Sequence, residues 1–357
     1  MKILTVIGAR PQFIKAFPVS FAISSYKEIE EVFVHTGQHY DKMMSSIFLE
    51  DFNLKVKYNL EVGSKLHGEQ TAEMLLKLEQ IILKEEPACV LVYGDTNSTL
   101  AGALAACKLN VKIAHIEAGL RSFNKNMPEE INRVLVDHVA DFLFCPTKTA
   151  LLNLKNEGIV KDVVLSGDVM VDALIYFKNV AQKKSDILQK LSLDSKSYFL
   201  ITIHRANNTD NIQRLTNIVN FLNQVNYPIV FPIHPRTMKK LREFKLDIKN
   251  PKVKVIEPVG YLDMLKLEAN ALKIITDSGG IQKEAFILKV PCITIRDETE
   301  WVETLKFKAN ILVNALSHDI LDAVKNFEVN FLEVPNIFGD GKASKKIVNY
   351  LYNRFLA

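Results

Sequence analysis

The chain has 357 residues, of which 48% are hydrophobic and 24% charged, and a formal net charge of +4; that length suits about two domains of roughly 150 residues each. The positive balance is too small and dispersed for nucleic-acid binding, since no basic run interleaves with aromatics. No apolar span reaches the roughly 18 residues of a membrane helix, and the apolar run after Met1 is too short for a signal peptide, so a cytoplasmic protein is expected. Short β-branched runs at residues 3–7, 31–35, 89–92, 112–116 and 142–145 read as strands, with helical patterns at 68–85 and 99–108 between them. Residues 172–191 read as a lysine-rich helix that, with the polar Asp194-Ser195-Lys196-Ser197 after it, suits a domain connection. The alternation then restarts, with strands at 199–203, 229–232, 253–256, 274–276 and 292–295 and helices around 213–224, 261–269 and 280–288.

Strand–helix–strand alternation implies parallel, doubly wound sheets. The expected architecture is α/β: two Rossmann-like domains, 1–170 and 171–342, facing each other across a cleft. A last helix at about 343–355, within a segment 343–357, packs back on the first domain. Cys89, Cys107, Cys145 and Cys292 lie far apart with no metal-binding spacing and read as buried reduced thiols.

Acidic side chains gather at strand ends. Asp95 follows the strand at 89–92, Glu117 follows 112–116, and Glu129 and Glu130 follow Met127-Pro128, with Arg121 and Arg133 nearby. In an open parallel sheet such positions face the ligand crevice, and neighbouring carboxylates are pushed apart in acidity, which sorts them into acid and base. Asp95 has a second reading as the cap of the helix near Ser98, and Glu129 as a favourable charge at a helix start after Pro128. For Glu130 that helix-start reading is preferred, while Glu117, leaving its strand at Ala118-Gly119, is the strongest candidate.

The first strand runs into Gly8-Ala9-Arg10-Pro11, with Lys15 further on, and lacks the GxGxxG of a dinucleotide site. Arg10 and Lys15 suit a diphosphate near a helix N-terminus, the alternative being plain surface charges. In Asp277-Ser278-Gly279-Gly280 a strand turns into a helix. The glycines let backbone amides approach phosphate oxygens, and Glu284, about one turn in, can accept from a ribose diol. The alternative is a tight turn with Ser278 as N-cap. His204-Arg205 and His234-Pro235-Arg236 end successive strands. His204 suits acid–base or leaving-group work, and His234 a place nearer the nucleotide. His39 lies in a polar turn, and its role stays open.

Together these motifs resemble the non-hydrolysing UDP-N-acetylglucosamine 2-epimerases over nearly the whole chain. The resemblance rests on Gly-Ala-Arg-Pro at 8–11, Gly-Gln-His at 37–39, Gly-Asp-Thr at 94–96, Glu-Ala-Gly-Leu-Arg at 117–121 and Pro128-Glu-Glu with Asn132-Arg133. It continues with His204-Arg205, Asp-Ser-Gly-Gly-Ile-Gln at 277–282 and Arg296-Asp297. It implies a GT-B-like fold, a homodimer, a UDP-sugar substrate and neither a metal nor any other cofactor. The implied chemistry expels UDP from C1 as the C2 proton leaves, giving a 2-acetamidoglucal to which UDP adds back after protonation on the opposite face. Asp95, Glu117 and Glu129 would then transfer protons, and Arg10, His204 and Arg205 would stabilise the departing diphosphate. Lys15 and Arg133 would contact the sugar side, with His234, Ser278, Gly279, Gly280 and Glu284 on the nucleotide.

Two departures stand out. The family commonly carries a glutamate soon after His204-Arg205, where this chain has Ala206-Asn207-Asn208, so an altered pH dependence of His204 is expected. Gln38-His39 is followed by Tyr40-Asp41 in place of the arginine of substrate-activated bacterial enzymes, which implies no substrate activation. Rival functions are a C2 epimerase for UDP-2,3-diacetamido-2,3-dideoxy-glucuronic acid, a hydrolysing 2-epimerase and a glycosyltransferase. A nucleotide sensor has least reason to keep three acids at strand ends.

Overall fold

The computed structural model describes residues 1–38, 56–317 and 320–356, the side chain of Arg10 excepted. The chain divides into two compact units, Met1–Ala173 with Ile337–Ala357, and Leu174–Asn336.

Unit 1 is built on a seven-stranded sheet: β1 (Lys2–Ile7), β2 (Glu30–His35), β3 (Val56–Asn59), β4 (Cys89–Tyr93), β5 (Lys112–Ile116), β6 (Phe142–Cys145) and β7 (Val163–Leu165). Their order is β3-β2-β1-β4-β5-β6-β7, and every pairing is parallel. The helices that matter here are α1 (Arg10–Ile23), α2 (His67–Glu85), α3 (Asn97–Lys108) and α4 (Pro128–Val139). Helices on both faces leave the central strands without a wet side, so β4 reads Cys-Val-Leu-Val-Tyr and is buried throughout.

Unit 2 repeats the plan with β8 (Phe199–Thr202), β9 (Ile229–Pro232), β10 (Val253–Ile256), β11 (Lys273–Thr276), β12 (Cys292–Thr294) and β13 (Asn310–Leu312). Their order is β10-β9-β8-β11-β12-β13, again parallel. Helices α5 (Ala206–Thr209), α6 (Pro235–Glu243) and α7 (Gly279–Leu288) follow β8, β9 and β11. The Rossmann-like, doubly wound reading of both halves thus holds. The terminal helix α8 (Ala343–Leu356) belongs to unit 1. Asp172 fixes its start by accepting from the amides of Ala343 (3.1 Å) and Ser344 (2.8 Å). Tyr352 lies against Tyr26, and Phe355 against Phe142, with ring centroids 5.0 and 5.7 Å apart.

Strand order reverses between β1 and β4 in unit 1 and between β8 and β11 in unit 2. At such a switch point the flanking loops leave in opposite directions and open a crevice at the strand carboxyl ends. All four cysteines are free, but Cys107 is exposed near the end of α3, against the expectation that all are buried. Its apolar neighbours face the sheet, and the 3.6-residue period turns position 107 outward. No helix among the described residues is long and apolar enough to cross a membrane.

Candidate active site

At the unit 1 switch point β1 ends at Gly8, where an added Cβ would stand 2.0 Å from Thr36 Oγ1 and 2.2 Å from Ser98 Oγ. Only glycine lets the three segments meet so closely. Gln12 then holds the turn: its Oε1 accepts from the amides of Gly8 (2.8 Å) and Ala9 (3.0 Å), and its Nε2 donates to the Tyr93 carbonyl (2.9 Å). Thus α1 starts in a fixed register, and Lys15 on its next turn reaches Glu117 at the end of β5. Lys15 Nζ lies 2.8 Å from Glu117 Oε1, and both side chains are largely buried. Arg10 opens α1, but its side chain lies outside the described residues, as does all of His39.

Asp95 follows Gly94, whose φ of +64° demands glycine or strain. Asp95 does not cap α3. That place belongs to Thr96, whose side chain accepts from the Thr99 amide at 3.3 Å. Asp95 instead ion-pairs with the buried Arg133, and Asn132 donates to its carbonyl at 2.9 Å. Glu117 itself has φ +71°, an uncommon conformation for a residue with a Cβ. Its amide and that of Ala118 both donate to the Phe144 carbonyl at 3.1 Å.

Glu129 and Glu130 both sit in the first turn of α4 and part company in their surroundings. Glu129 is exposed, whereas Glu130 is 3% exposed. Glu130 accepts from the amides of Ser122 and Phe123, each at 2.9 Å, and pairs with Arg133 at 2.8 Å. Burial would raise the Glu130 carboxyl, but these backbone donors and the guanidinium hold it below the usual range. The helix-start reading of Glu130 therefore holds, and its charge in addition anchors the 122–123 loop.

In unit 2 the organising group is Asp277, fully buried after β11. It accepts from the amides of His204 (3.0 Å) and Arg205 (3.0 Å) and from Asn208 Nδ2 (3.1 Å). The strand-end motifs of β8 and β11 are thereby bound together. The His204 and His234 rings lie 5.6 Å apart. His234 caps α6, its Nδ1 accepting from the Arg236 amide at 3.1 Å, so the ring proton sits on Nε2. Burial lowers the pKa of His204, Arg205 and Arg236 lower it further, and Asp277 opposes them. The departure at Asn207 does not bear on that ring in the expected way: Asn207 is exposed and donates to Asp297 at 3.4 Å, while the carboxylate beside His204 is Asp277.

Ser278 stands at the N-cap of α7, yet its hydroxyl caps nothing; its amide donates to Thr276 Oγ1 at 2.9 Å. An added Cβ on Gly279 would stand 2.2 Å from Glu300 Oε1 and 3.6 Å from Arg205. Gly280 is exposed, and Glu284 is buried one turn into the helix. The first turn of α7 therefore sets glycine amides beside the Arg205 guanidinium and the Glu300 carboxylate, and a helix N-terminus with an arginine suits an anion.

The sequence motifs include Asn132 and Asp277 without giving either a role, and leave out Gln12, His115 and Asp137. Asp277 carried a signal, as an acid ending an apolar strand. Gln12 and Asn132 are neutral amides whose importance lies wholly in what they bond.

A family model described as UDP-N-acetylglucosamine 2-epimerase matches residues 22–352. The chain belongs to the UDP-N-acetylglucosamine 2-epimerase family. Among its relatives, a UDP-2,3-diacetamido-2,3-dideoxy-D-glucuronate 2-epimerase of Pseudomonas aeruginosa is 50% identical, over 98% of this chain and 99% of the relative. A UDP-N-acetylglucosamine 2-epimerase of Methanococcus maripaludis is 49% identical, over 98% of each chain. The crystal structure of Methanocaldococcus jannaschii UDP-GlcNAc 2-epimerase, in complex with UDP-GlcNAc and UDP, superposes with a TM-score of 0.90 at 47% identity, covering 99% of this chain and 100% of that one. The epimerase family thus spans both units of this chain.

Proposed function

We propose that this chain is a non-hydrolysing epimerase that interconverts UDP-N-acetylglucosamine and UDP-N-acetylmannosamine at C2. The observation that carries the reading is the set of charges at the unit 1 switch point, Lys15 with Glu117 and Arg133 with Asp95. It occurs in a chain similar throughout its length to an enzyme solved with UDP-GlcNAc and UDP. The C2 hydrogen is not acidic, because no carbonyl adjoins C2. Its loss becomes feasible only when the C1–O bond to UDP breaks in the same elimination. A carboxylate takes the proton, UDP leaves as the anion, and the 2-acetamidoglucal remains. Protonation of C2 from the opposite face and return of UDP to C1 complete the inversion.

Asp95, Glu117 and Glu129 are the proton-transfer groups of this scheme. Each face of the sugar needs its own group, and a well-placed acid or base is worth roughly 10²–10⁴ in rate. Lys15 and Arg133 hold the buried Glu117 and the half-buried Asp95 in place and face the sugar. Arg10, His204 and Arg205 receive the charge that develops on the diphosphate. Ser278, Gly279 and Gly280 bind phosphate through their amides, Glu284 takes the ribose and His234 borders the nucleotide. The enzyme works as a homodimer in the cytoplasm, without a metal or other cofactor.

The similarity to the Pseudomonas aeruginosa relative supports a second reading, in which the donor is UDP-2,3-diacetamido-2,3-dideoxy-glucuronic acid. Turnover of the two donors measured side by side separates them. The first reading expects kcat/KM to favour UDP-GlcNAc, and a clear preference for the uronic acid donor would transfer the assignment.

A further inference from the structure

Beneath the two turns that carry Asp95 and Glu117 lies a chain of polar groups with almost no access to water. His115 and Asp137 are fully buried side chains, and Arg121 is 1% exposed. His115 belongs to β5, Asp137 to α4, and Arg121 to the segment between them. His115 Nδ1 lies 2.7 Å from Asp137 Oδ1, and its Nε2 lies 2.8 Å from the carbonyl oxygen of Gly94. The other Asp137 oxygen accepts from the Gly119 amide at 3.0 Å and from Arg121 at 2.6 Å. Arg121 turns its remaining nitrogens to Glu157, at 2.7 Å each.

Both partners of the ring are acceptors: a backbone carbonyl has no proton to give, and a carboxylate that already receives two donors on one oxygen behaves as one. Burial would raise the Asp137 carboxyl, but its bonds to His115 and Arg121 hold it below the usual range. The His115 ring is held between the two and sealed from solvent.

The pair also joins the two turns. Gly94 donates its own amide to the Ile116 carbonyl at 2.9 Å, so both sides of the 93–95 backbone are tied to β5. At its far end Asp137 grips Gly119, two residues beyond Glu117. Resting on the epimerase reading above, we infer that His115, bridging the Asp137 carboxylate and the Gly94 carbonyl, is a positioning residue that sets the spacing of Asp95 and Glu117. It touches no substrate. Two proton-transfer groups that must act on opposite faces of one ring need a fixed separation. A backbone held in the left-handed region at Gly94 and Glu117, φ +64° and +71°, needs outside support to stay there.

Two variants cut the bridge at different ends. In His115→Asn the amide nitrogen takes the place of Nδ1, keeping Asp137 and releasing Gly94. In His115→Gln it takes the place of Nε2, keeping Gly94. The expected result is a roughly hundredfold loss of kcat in His115→Asn, the scale of a misplaced catalytic group. His115→Gln should lose about tenfold or less, with KM within about threefold in both. Equal losses in the two, or a loss confined to KM, would overturn the inference. On the unmodified enzyme, the ring N–H that donates to the Gly94 carbonyl should exchange slowly by NMR, and rapid exchange of that proton with solvent would overturn the bridge even if neither variant folds. An unmodified enzyme inactive on every UDP-sugar would count against the proposed function, while the exchange of that ring proton would still decide the bridging by His115.

Discussion

Lys15 and Glu117 meet at 2.8 Å across 102 residues of sequence, one from the helix after β1 and one from the end of β5. Their contact spans β4, the strand between β1 and β5 in the sheet, so the ammonium rests directly over Gly94. An added Cβ on Gly94 would lie 3.4 Å from Lys15 Nζ. The account expects Glu117→Gln, which keeps the shape and the acceptor oxygen, to lower kcat by roughly 10²–10⁴. The unfolding midpoint should barely move. A kcat within threefold of the parent enzyme would remove Glu117 from the chemistry.

Glu129 and Glu130 are neighbours in sequence with opposite expectations. Glu130→Ala leaves two loop amides without their acceptor and removes one partner of a buried arginine, so a loss of about 3 kcal/mol in urea unfolding is expected. Glu129→Ala should change stability by less than about 0.5 kcal/mol, as exposed sites do, yet lose turnover. A Glu129 variant with full activity would show that its carboxylate is only a helix-start charge.

The His204 ring is held below its ordinary range, so it stays neutral at neutral pH. If the neutral ring is the active form, kcat/KM falls only as pH drops below the ordinary value of about 6.5. Asp277 is the group that favours the charged ring. Asp277→Asn should therefore move the acid limb of the pH–rate profile lower, and Asn207→Glu, on the exposed side toward Asp297, should leave it in place. A limb that shifts with Asn207→Glu and not with Asp277→Asn would reverse this assignment.

Away from the site, Glu31 on β2 accepts from Thr5 Oγ1 at 2.6 Å, and burial pushes its pKa from 4.5 up to about 7. The folded chain then binds more protons than the unfolded one between those values, so stability falls as pH rises through that window. Glu31→Gln removes the penalty while keeping the acceptor. Its benefit should be absent below pH 4.5 and level off above pH 7, with a ceiling of about 3 kcal/mol. Urea unfolding at pH 5 and pH 8 checks it, and an equal effect at both would contradict it.

Much of the fold was legible because buried parallel strands are short, nearly continuous apolar runs, such as Cys89 to Val92 and Phe142 to Cys145. The strands that escaped, β3, β7 and β13, are half-wet edge strands of three or four residues whose apolar runs reach three residues at most. For the site, strand-end acids and the Ser-Gly-Gly turn announced themselves through residue type and position. Partnership did not. Nothing in the spacing of Asp95 and Arg133 says that they pair, nor that Glu130 reaches back to residues 122 and 123. His115 looked like one polar residue in an apolar strand, and its importance lies in two acceptors contributed by the turn after β4 and by α4.

The most direct test follows UDP-GlcNAc by NMR in D2O with the purified protein. UDP-ManNAc should accumulate to equilibrium, deuterium should enter at C2, and no free sugar should appear. Release of ManNAc and UDP would make the enzyme hydrolytic, and a substrate left unchanged with its C2 proton intact would contradict the proposed epimerisation.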